Sequence, residues 1–284
     1  MPASEGAPRI DTLNAEKALV VHTIHGNVVL AGSPQSLIPH RPSSEWRVDS
    51  ISRFHFSARA TQLFGRDAEL EQLREFCRAG ANFRWWGITG KGGAGKSRLA
   101  LELARELGNS ASAWNWLFLG HGDILSSNIK YLASGWEPEQ PTLLVVDYVA
   151  FVADQLRALL NSCAKNASAW RYPVRLLFLE RTTEGGWHDR LSSSLSNEDK
   201  NRIFEARHSS DYLTLEHFPA EAAQQLVEEV LQRYGVHVQR SSQRSIEGLL
   251  RRLDIEHRPL FALFLADAIA SYISRACASL PALP

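Results

Sequence analysis

The sequence predicts an α/β fold, with a three-layer α/β/α domain on a parallel sheet followed by a small all-helical subdomain. Apolar runs of strand length alternate with segments of helical periodicity, which is typical of a parallel sheet covered by helices on both faces. A glycine-rich loop joins one such run directly to a helix. Beyond about residue 210, nearly every segment has helical spacing.

The first predicted elements surround the glycine-rich loop. DAELEQLREFCRAG places Leu70, Leu73 and Phe76 at helical spacing, and we expect this helix to stop at a glycine cap, Gly80. NFRWWGIT is a strand that runs into the loop, and SRLALELARELG is the helix that leaves it.

Further strands are expected in SAWNWLFLG, PTLLVVDYV and PVRLLFLER. The last two are apolar on both faces, as central parallel strands should be. Helices in ILSSNIKYLASG and AFVADQLRALLNSCAKN separate them, and DYLTLEHF is a candidate final strand. The helical tail consists of PAEAAQQLVEEVLQRYG, which has Pro219 at its start, SSQRSIEGLLRRLD and RPLFALFLADAIASYISRA.

These patterns divide the chain into an N-terminal extension over residues 1–60, the α/β domain over 61–210 and the helical subdomain over 211–284. Within the extension, residues 20–32 have the pattern of a β-hairpin. An arm that packs on the main domain is the simpler interpretation, and strand pairing with a partner is the alternative.

Composition excludes several classes of protein. With 284 residues, 44% hydrophobic content and 22% charge, the chain can bury a sizeable core. Equal numbers of basic and acidic side chains, 31 each, offer no overall attraction to nucleic acid or to an anionic membrane. Three distant cysteines and the absence of a signal-like N-terminus predict a cytoplasmic protein. The longest apolar run, residues 259–273, contains Asp267 and is too short to span a bilayer.

The loop GITGKGGAGKSRLA, residues 87–100, fits the pattern G-x-x-x-x-G-K-[ST] of a phosphate-binding loop. Its glycines allow consecutive backbone N–H groups to turn toward a phosphate chain, and its place between strand and helix supports this reading. The lysine would reach the β and γ phosphates, and the serine would bind Mg²⁺. The residues expected to contact the nucleotide here are Gly90, Gly92, Gly93, Ala94, Gly95, Lys96, Ser97 and Arg98.

A magnesium site needs a carboxylate besides Ser97, and Asp147 supplies it at the end of the apolar strand TLLVVD. Hydrolysis also requires a group that activates water, yet the next residue is Tyr148 rather than a second acid. Glu180, at the end of the following strand, is a candidate for that group, and Arg181 is a candidate γ-phosphate sensor. Surface charge at a strand end is the alternative for both. Scattered histidines, His121, His188 and His217, show no metal-binding spacing and are assigned to surface or core.

The motif combination carries a family resemblance. GKGGAGKSRLA, with FGRDAELEQL upstream and LLVVDY, RLLFLER and RPLFA downstream, resembles the signal-transduction ATPases with numerous domains. These form the STAND class of P-loop NTPases, related to NB-ARC and NACHT proteins. Order and spacing match over residues 64–270, and the resemblance implies a P-loop NTPase core with a helical lid that binds ATP or ADP with Mg²⁺.

The resemblance also implies residue roles. Asp147 matches the Walker B aspartate and Arg181 the sensor arginine. Pro259 in RPLFA matches the proline of a lid motif that closes over the base, with a simple helix-start proline as the alternative. The segment matching the adenine side of the site is Phe64, Gly65 and Arg66.

Two departures shape the expected function. The missing second acid puts efficient hydrolysis in doubt, and the chain contains neither a complete winged-helix region nor the repeats typical of the class. We therefore expect an ATP/ADP switch that self-associates or binds a protein partner, and, if active as an enzyme, a slow Mg-dependent ATPase. The alternative is an AAA+-like, DNA-associated ATPase of the initiator or loader type, because FGRDAELEQL also occurs in such modules and RSSQRSIEGLLRRLDIEHR is basic. The zero net charge disfavours nucleic acid binding.

Overall fold

The computed structural model describes residues 51–111 and 113–278. All of them belong to one compact unit, Pro34–Pro284; the other unit, Met1–Ser33, lies outside the described residues, as does the predicted hairpin over 20–32. The described strands are β1 (Phe83–Thr89), β2 (Asn115–Phe118), β3 (Thr142–Asp147), β4 (Val174–Glu180) and β5 (Leu213–Thr214). They form one parallel five-stranded sheet in the order β2-β3-β4-β1-β5.

Helices cover both faces of the sheet. The helices of this part are α1 (Asp67–Arg78), α2 (Lys96–Asn109), α3 (Gly122–Ala133), α4 (Val149–Asn166), α5 (Trp187–Arg190) and α6 (Asn197–Glu205). Residues alternate along each strand: in β4, Leu177 and Leu179 pack with α1 and α2, whereas Leu176 and Phe178 pack with the helices on the opposite face. The predicted three-layer α/β/α architecture is therefore confirmed.

Three helices follow the sheet: α7 (Ala220–Arg233), α8 (Arg240–Leu253) and α9 (Pro259–Ala278). They enclose their own apolar cluster, in which Ala223, Val227 and Ala262 are fully buried. None of the helices among residues 51–111 and 113–278 is both long and apolar enough to cross a membrane.

Strand register brings the predicted chemical groups to one edge of the sheet. Thr89 at the end of β1 is level with Glu180 at the end of β4, and Asp147 at the end of β3 is level with Leu179. The carboxyl ends of parallel strands form the usual ligand-binding edge in open α/β sheets. The segment after β1, which contains the glycine-rich loop, begins at this edge.

The expected glycine cap on α1 is wrong. The helix ends at Arg78, and Gly80 makes no left-handed turn. Arg175 of β4, only 1% exposed, instead donates to the carbonyl oxygens of Phe76, at 2.9 Å, and Ala79. Because these carbonyls lack helical partners, a buried guanidinium can satisfy them where a glycine turn would otherwise be needed. Burial lowers the pKa of Arg175 to about 10.

Three other elements differ from expectation. Helices α5 and α6 have no counterpart among the predicted elements; α5 has four residues, and in α6 only Ile203 is buried, so neither has a clear apolar periodicity. The predicted final strand is present, but only as the two residues of β5.

Candidate functional site

A cavity of about 650 Å³ opens at the carboxyl edge of the sheet. Its volume lies in the range of small-molecule and cofactor sites. The wall contributed by the sheet edge is polar and contains the glycine-rich loop with Asp147, Glu180 and Arg181. The helical subdomain contributes an apolar wall that includes Phe218, Leu226, Phe261 and Leu263. The residues before α1 contribute apolar side chains, among them Phe54 and Phe64, together with Arg53, Arg59 and Arg66. A ligand with one anionic part and one apolar ring would match both walls.

The loop has the backbone conformation that its glycines predict. Gly90, Gly93 and Gly95 have φ of 153°, 81° and 96°, a region that side chains with a Cβ rarely adopt. At Gly90 a Cβ would also lie only 2.8 Å from the carbonyl oxygen of Leu215. Gly95 precedes α2, and no side chain caps the first N–H groups of that helix. Those groups are available for an anion at the helix N-terminus.

Lys96 lies inside the cavity with 9% of its surface exposed. Its Nζ donates to the carbonyl oxygens of Gly90 and, at 3.1 Å, Lys91. Burial lowers the pKa of Lys96 below its ordinary value, an effect that Asp147 and Glu180 oppose. A buried ammonium held only by neutral carbonyls is suited to an incoming phosphate.

The two predicted magnesium ligands are in contact. Ser97 Oγ donates to Asp147 Oδ2 at 2.7 Å, and Asp147 Oδ1 accepts from the backbone N–H of Tyr148 at 2.9 Å. Residues 51–111 and 113–278 contain no group of three or more His, Cys, Asp or Glu side chains placed to hold a metal. A hydroxyl and one carboxylate fit Mg²⁺, which typically completes its coordination with nucleotide phosphates and water.

Glu180 is buried, with 8% exposure, and both of its oxygens are already bonded to the backbone. Oε2 accepts from the N–H of Ala150 in the first turn of α4, and Oε1 accepts from the N–H of Arg181, both at 2.7 Å. A carboxylate at a helix N-terminus is favoured by the helix dipole. The observed contacts therefore give Glu180 a role in holding β4 against α4.

Arg181 is exposed on the cavity wall, near the glycine-rich loop. A Cβ at Gly92 would lie 4.0 Å from its Cζ. Within the described part of the chain, the Arg181 side chain makes no ion pair or hydrogen bond, so its charge is available to a ligand.

The FGR segment joins the two parts of the structure. Phe64 lines the cavity, and a Cβ at Gly65, where φ is 56°, would lie 2.7 Å from the Cβ of Ala222 in α7. Arg66 is 5% exposed, pairs with Glu69 and donates to a backbone carbonyl, that of Glu216, at 3.3 Å. Its charge is thus engaged at the junction between α1 and the helical subdomain.

Arg98 also lines the cavity, but its guanidinium is bound to protein groups. It pairs with Glu102 on the same helix and donates to the carbonyl oxygen of Thr61 at 2.9 Å. Burial lowers the pKa of Arg98, opposed by the hydrogen bond to Glu102. These contacts attach the segment before α1 to α2.

The start of α9 packs directly on the glycine-rich loop. A Cβ at Gly93 would lie 3.1 Å from the Cβ of Leu260, and one at Gly95 would lie 3.7 Å from Cγ of Pro259. Just before α9, Arg258 donates to the carbonyl oxygen of Gly92 at 3.2 Å. The helical subdomain therefore touches the loop that would hold the phosphates.

Two features of the cavity wall were not anticipated. His121, assigned above to surface or core, is exposed and lines the cavity with its ring 6.2 Å from that of Tyr148. Residues 53–63 supply a large part of the wall, although no motif indicated them. Small buried residues within this segment, Ala58 and Ala60, give only a weak sequence signal.

Comparisons with known proteins agree with this geometry. A family model described as novel STAND NTPase 5 matches residues 58–193. The Orc1 protein of Aeropyrum pernix, solved in complex with DNA, has a TM-score of 0.53 at 15% identity over 79% of this chain and 64% of its own. Hsp104, reconstructed with ATPγS and FITC casein, has a TM-score of 0.54 at 14% identity over 77% of this chain and 40% of its own. A mutant of Thermotoga maritima RuvB has a TM-score of 0.51 at 15% identity over 75% of this chain and 65% of its own.

This chain spans less than two thirds of the length of each of those structures. Because the identities are low, the likeness shows the fold alone. No curated protein matches the chain. The family match over residues 58–193, just under half of the chain, and the shared fold support the P-loop NTPase domain that the sequence motifs predict, and this domain is similar to the STAND class.

Proposed function

We propose that this chain is an ATP/ADP-binding switch of the STAND signalling type with slow or no hydrolysis. The cavity supports nucleotide binding because a phosphate loop, a buried lysine and a serine–aspartate pair lie on one wall and aromatic side chains on the other. In this proposal Lys96 holds the β and γ phosphates, and Ser97 and Asp147 hold Mg²⁺. Phe64 contacts the adenine, and Pro259 approaches it from α9.

The state of the carboxylates carries the argument for slow turnover. Among the described residues that line the cavity, the carboxylates are Asp147 and Glu180. Asp147 accepts a hydrogen bond from Ser97, the other proposed magnesium ligand, and Glu180 accepts hydrogen bonds from two backbone N–H groups. Neither is poised to take a proton from an attacking water, and the residue after Asp147 is Tyr148.

The packing of α9 supports a switch. A γ-phosphate bound in the glycine-rich loop would lie near Arg181, and Leu260 and Arg258 contact the same loop. A ligand shifts a conformational equilibrium only by the difference in its affinity for the two states. A contact from Arg181 to the γ-phosphate that forms in only one of the two conformations would give ATP such a difference, and ADP lacks the γ-phosphate that makes it.

The test compares binding with turnover on the purified chain. We expect ATP and ADP to bind tightly, turnover to be slow, and the molecular mass to rise in the ATP state. Lys96→Ala should abolish binding, whereas Lys91→Ala, a matched control in the same loop with 68% side-chain exposure, should retain it. Failure of the folded chain to bind either nucleotide would refute the proposal, and rapid turnover would refute the switch with slow hydrolysis.

A second candidate function is a DNA-associated ATPase. Its support is α8, where Arg244, Arg251 and Arg252 are exposed, although Arg251 lies 3.9 Å from Glu247. If these arginines neutralised DNA phosphates, the affinity for DNA would fall steeply as the salt concentration rises. Binding to duplex DNA at low salt that weakens in the triple variant Arg244→Ala/Arg251→Ala/Arg252→Ala would favour this function, and absence of binding would exclude it.

Partners and location form part of the same proposal. We expect a second copy of the chain or a separate protein to receive the signal. A cytoplasmic location is consistent with Cys77 and Cys163, which are free and buried, and burial raises the pKa of each thiol to about 12.

A further inference from the structure

Residues 53–63, hereafter the N-terminal strap, form one side of the cavity. The strap contains a short 3-10 helix, Phe56–Ala58, and packs on the protein through Ser57, Ala58, Ala60 and Thr61, each less than a tenth exposed. Phe56 stacks on Phe118 of β2, with ring centroids 5.6 Å apart. The strap is therefore a packed wall of the nucleotide cavity.

One end of the strap is bound to the helical subdomain. Arg53 Nε and one terminal nitrogen donate to the two oxygens of Asp267 in α9, at 2.8 and 3.1 Å. Tyr234 Oη donates to Asp267 Oδ1 at 2.6 Å. The side chains of Arg53 and Asp267 are only 18% and 20% exposed. A bidentate, partly buried pair of this kind is among the stronger polar contacts in proteins.

The other end is bound to the NTPase core. Arg59 donates to both oxygens of Glu102 in α2, at 2.8 and 3.2 Å. Glu102 also pairs with Arg98, in the turn of α2 that follows the phosphate loop. The strap thus connects α9 to α2 across the cavity through one bidentate ion pair at each end.

Between these ion pairs, Phe54 lines the cavity. The Arg53 guanidinium lies 4.5 Å from the centroid of the Phe54 ring, and Phe54 meets Phe264 of α9 edge to face at 4.9 Å. The pairing of Arg53 with Asp267 therefore holds an aromatic side chain against the place where an apolar ring would bind.

Asp267 places a partly buried carboxylate in an apolar helix, and its pairing with Arg53 explains why it is tolerated there. It interrupts the apolar run of α9, and burial raises the pKa of its carboxyl, but hydrogen bonds from Arg53 and Tyr234 bring it below the ordinary value. A partly buried carboxylate is tolerated when it is paired in this way. An apolar residue would pack the helix as well but would not hold the strap.

We propose that the strap closes the nucleotide site and that the Arg53–Asp267 pair sets the rate at which nucleotide leaves. This inference rests on the proposed nucleotide binding. Release of the base requires Phe54 to move, and Phe54 moves when Arg53 parts from Asp267. Arg53 and Asp267 are positioning residues in this scheme, and neither touches the phosphates.

The test measures dissociation of a fluorescent ADP from the full chain after a chase with unlabelled ADP. Asp267→Asn and Arg53→Ala should each speed dissociation about tenfold, which corresponds to roughly 1.4 kcal/mol. The double variant should be no faster than the faster single variant, because both remove the same contact. Arg53→Lys keeps the charge, loses the bidentate geometry and should give about a threefold effect.

Glu106→Gln is the matched control. It breaks a bidentate pair with Arg74, at 2.9 and 3.0 Å, that joins α1 to α2 and does not line the cavity. It should leave the dissociation rate unchanged. Hydrogen exchange of residues 51–58 should rise in Asp267→Asn and not in the control, which reports on the strap without reference to nucleotide.

The outcomes separate the two proposals. Binding with an unchanged dissociation rate and unchanged exchange in folded Arg53→Ala, Arg53→Lys and Asp267→Asn would overturn the strap and leave nucleotide binding intact. A folded wild-type chain that binds neither ATP nor ADP would overturn both.

Discussion

Replacing Glu180 by glutamine distinguishes a structural carboxylate from a catalytic one. The wild-type oxygens accept from the N–H groups of Ala150 and Arg181, both at 2.7 Å, in a site that is 8% exposed. Hydrogen bonds to a charged acceptor are worth about 1.5–3 kcal/mol each, and a buried donor left unpaired costs about 1–3 kcal/mol. Glutamine retains one acceptor and turns an NH₂ group toward the other N–H. We therefore expect the free energy of unfolding to fall by about 2–4 kcal/mol.

The assay is urea unfolding of the nucleotide-free chain, paired with single-turnover ATP hydrolysis under folding conditions. Hydrolysis by Glu180→Gln should remain within a few-fold of the wild type, because the carboxylate is not placed to activate water. Glu184→Gln, at an exposed position in the following loop, is the control and should leave both measurements unchanged. Wild-type stability combined with a hundredfold loss of hydrolysis would show that Glu180 is the general base and that the reasoning is wrong.

Three further predictions concern stability, pH and the contact between the glycine-rich loop and α9. Arg175→Met should lower the free energy of unfolding by about 2–4 kcal/mol, since it removes the donor to the last carbonyls of α1. Burial lowers the pKa of His208. Its contribution to the free energy of unfolding is therefore present above the unfolded pKa of about 6.5 and is lost as the pH falls through the lower folded value. In urea titrations at several pH values, His208→Gln should make the free energy of unfolding depend less steeply on pH. Gly93→Ala and Gly135→Ala should each cost about 1–2 kcal/mol in urea unfolding, because φ is 81° and 97°, but only Gly93→Ala presses on Leu260 and should also weaken ADP binding in titrations.

Each of these three has an outcome that contradicts it. Neutral Arg175→Met would mean that those carbonyls find other partners, and an unchanged pH slope in His208→Gln would mean that this ring remains well solvated. Equal, unaffected ADP affinities in the two glycine variants would show that the contact between Gly93 and Leu260 does not couple the loop to α9.

Local patterns were sufficient to predict much of the fold. The strands ending at Asp147 and Glu180 each contain four consecutive apolar residues, and the loop before Lys96 has a spacing set by phosphate geometry. Both signals lie within a few consecutive residues. The position of Asp147 beside Ser97 follows from these runs and from the rule that parallel strands share a chemical edge.

Pairing between distant residues could not be predicted in the same way. Arg175 donates to the last carbonyl groups of α1, about a hundred positions earlier in the chain, and Arg53 pairs with Asp267 across a separation of 214 positions. A single sequence does not indicate which carboxylate an arginine will meet. For the same reason the sequence favours Glu180 as a candidate catalyst, whereas its partners are backbone amides that any residue other than proline supplies.

Tyr148 adopts a left-handed backbone conformation, with φ of 57° and ψ of 51°. That conformation is uncommon for a bulky side chain, and among residues with a Cβ it is tolerated best by asparagine and aspartate. The codons of tyrosine and aspartate differ by a single base. A lineage carrying this backbone therefore stands one mutation from an acidic neighbour to Asp147 that would fit the turn at least as well as tyrosine. The backbone at position 148 is therefore no structural barrier to a second acid beside Asp147.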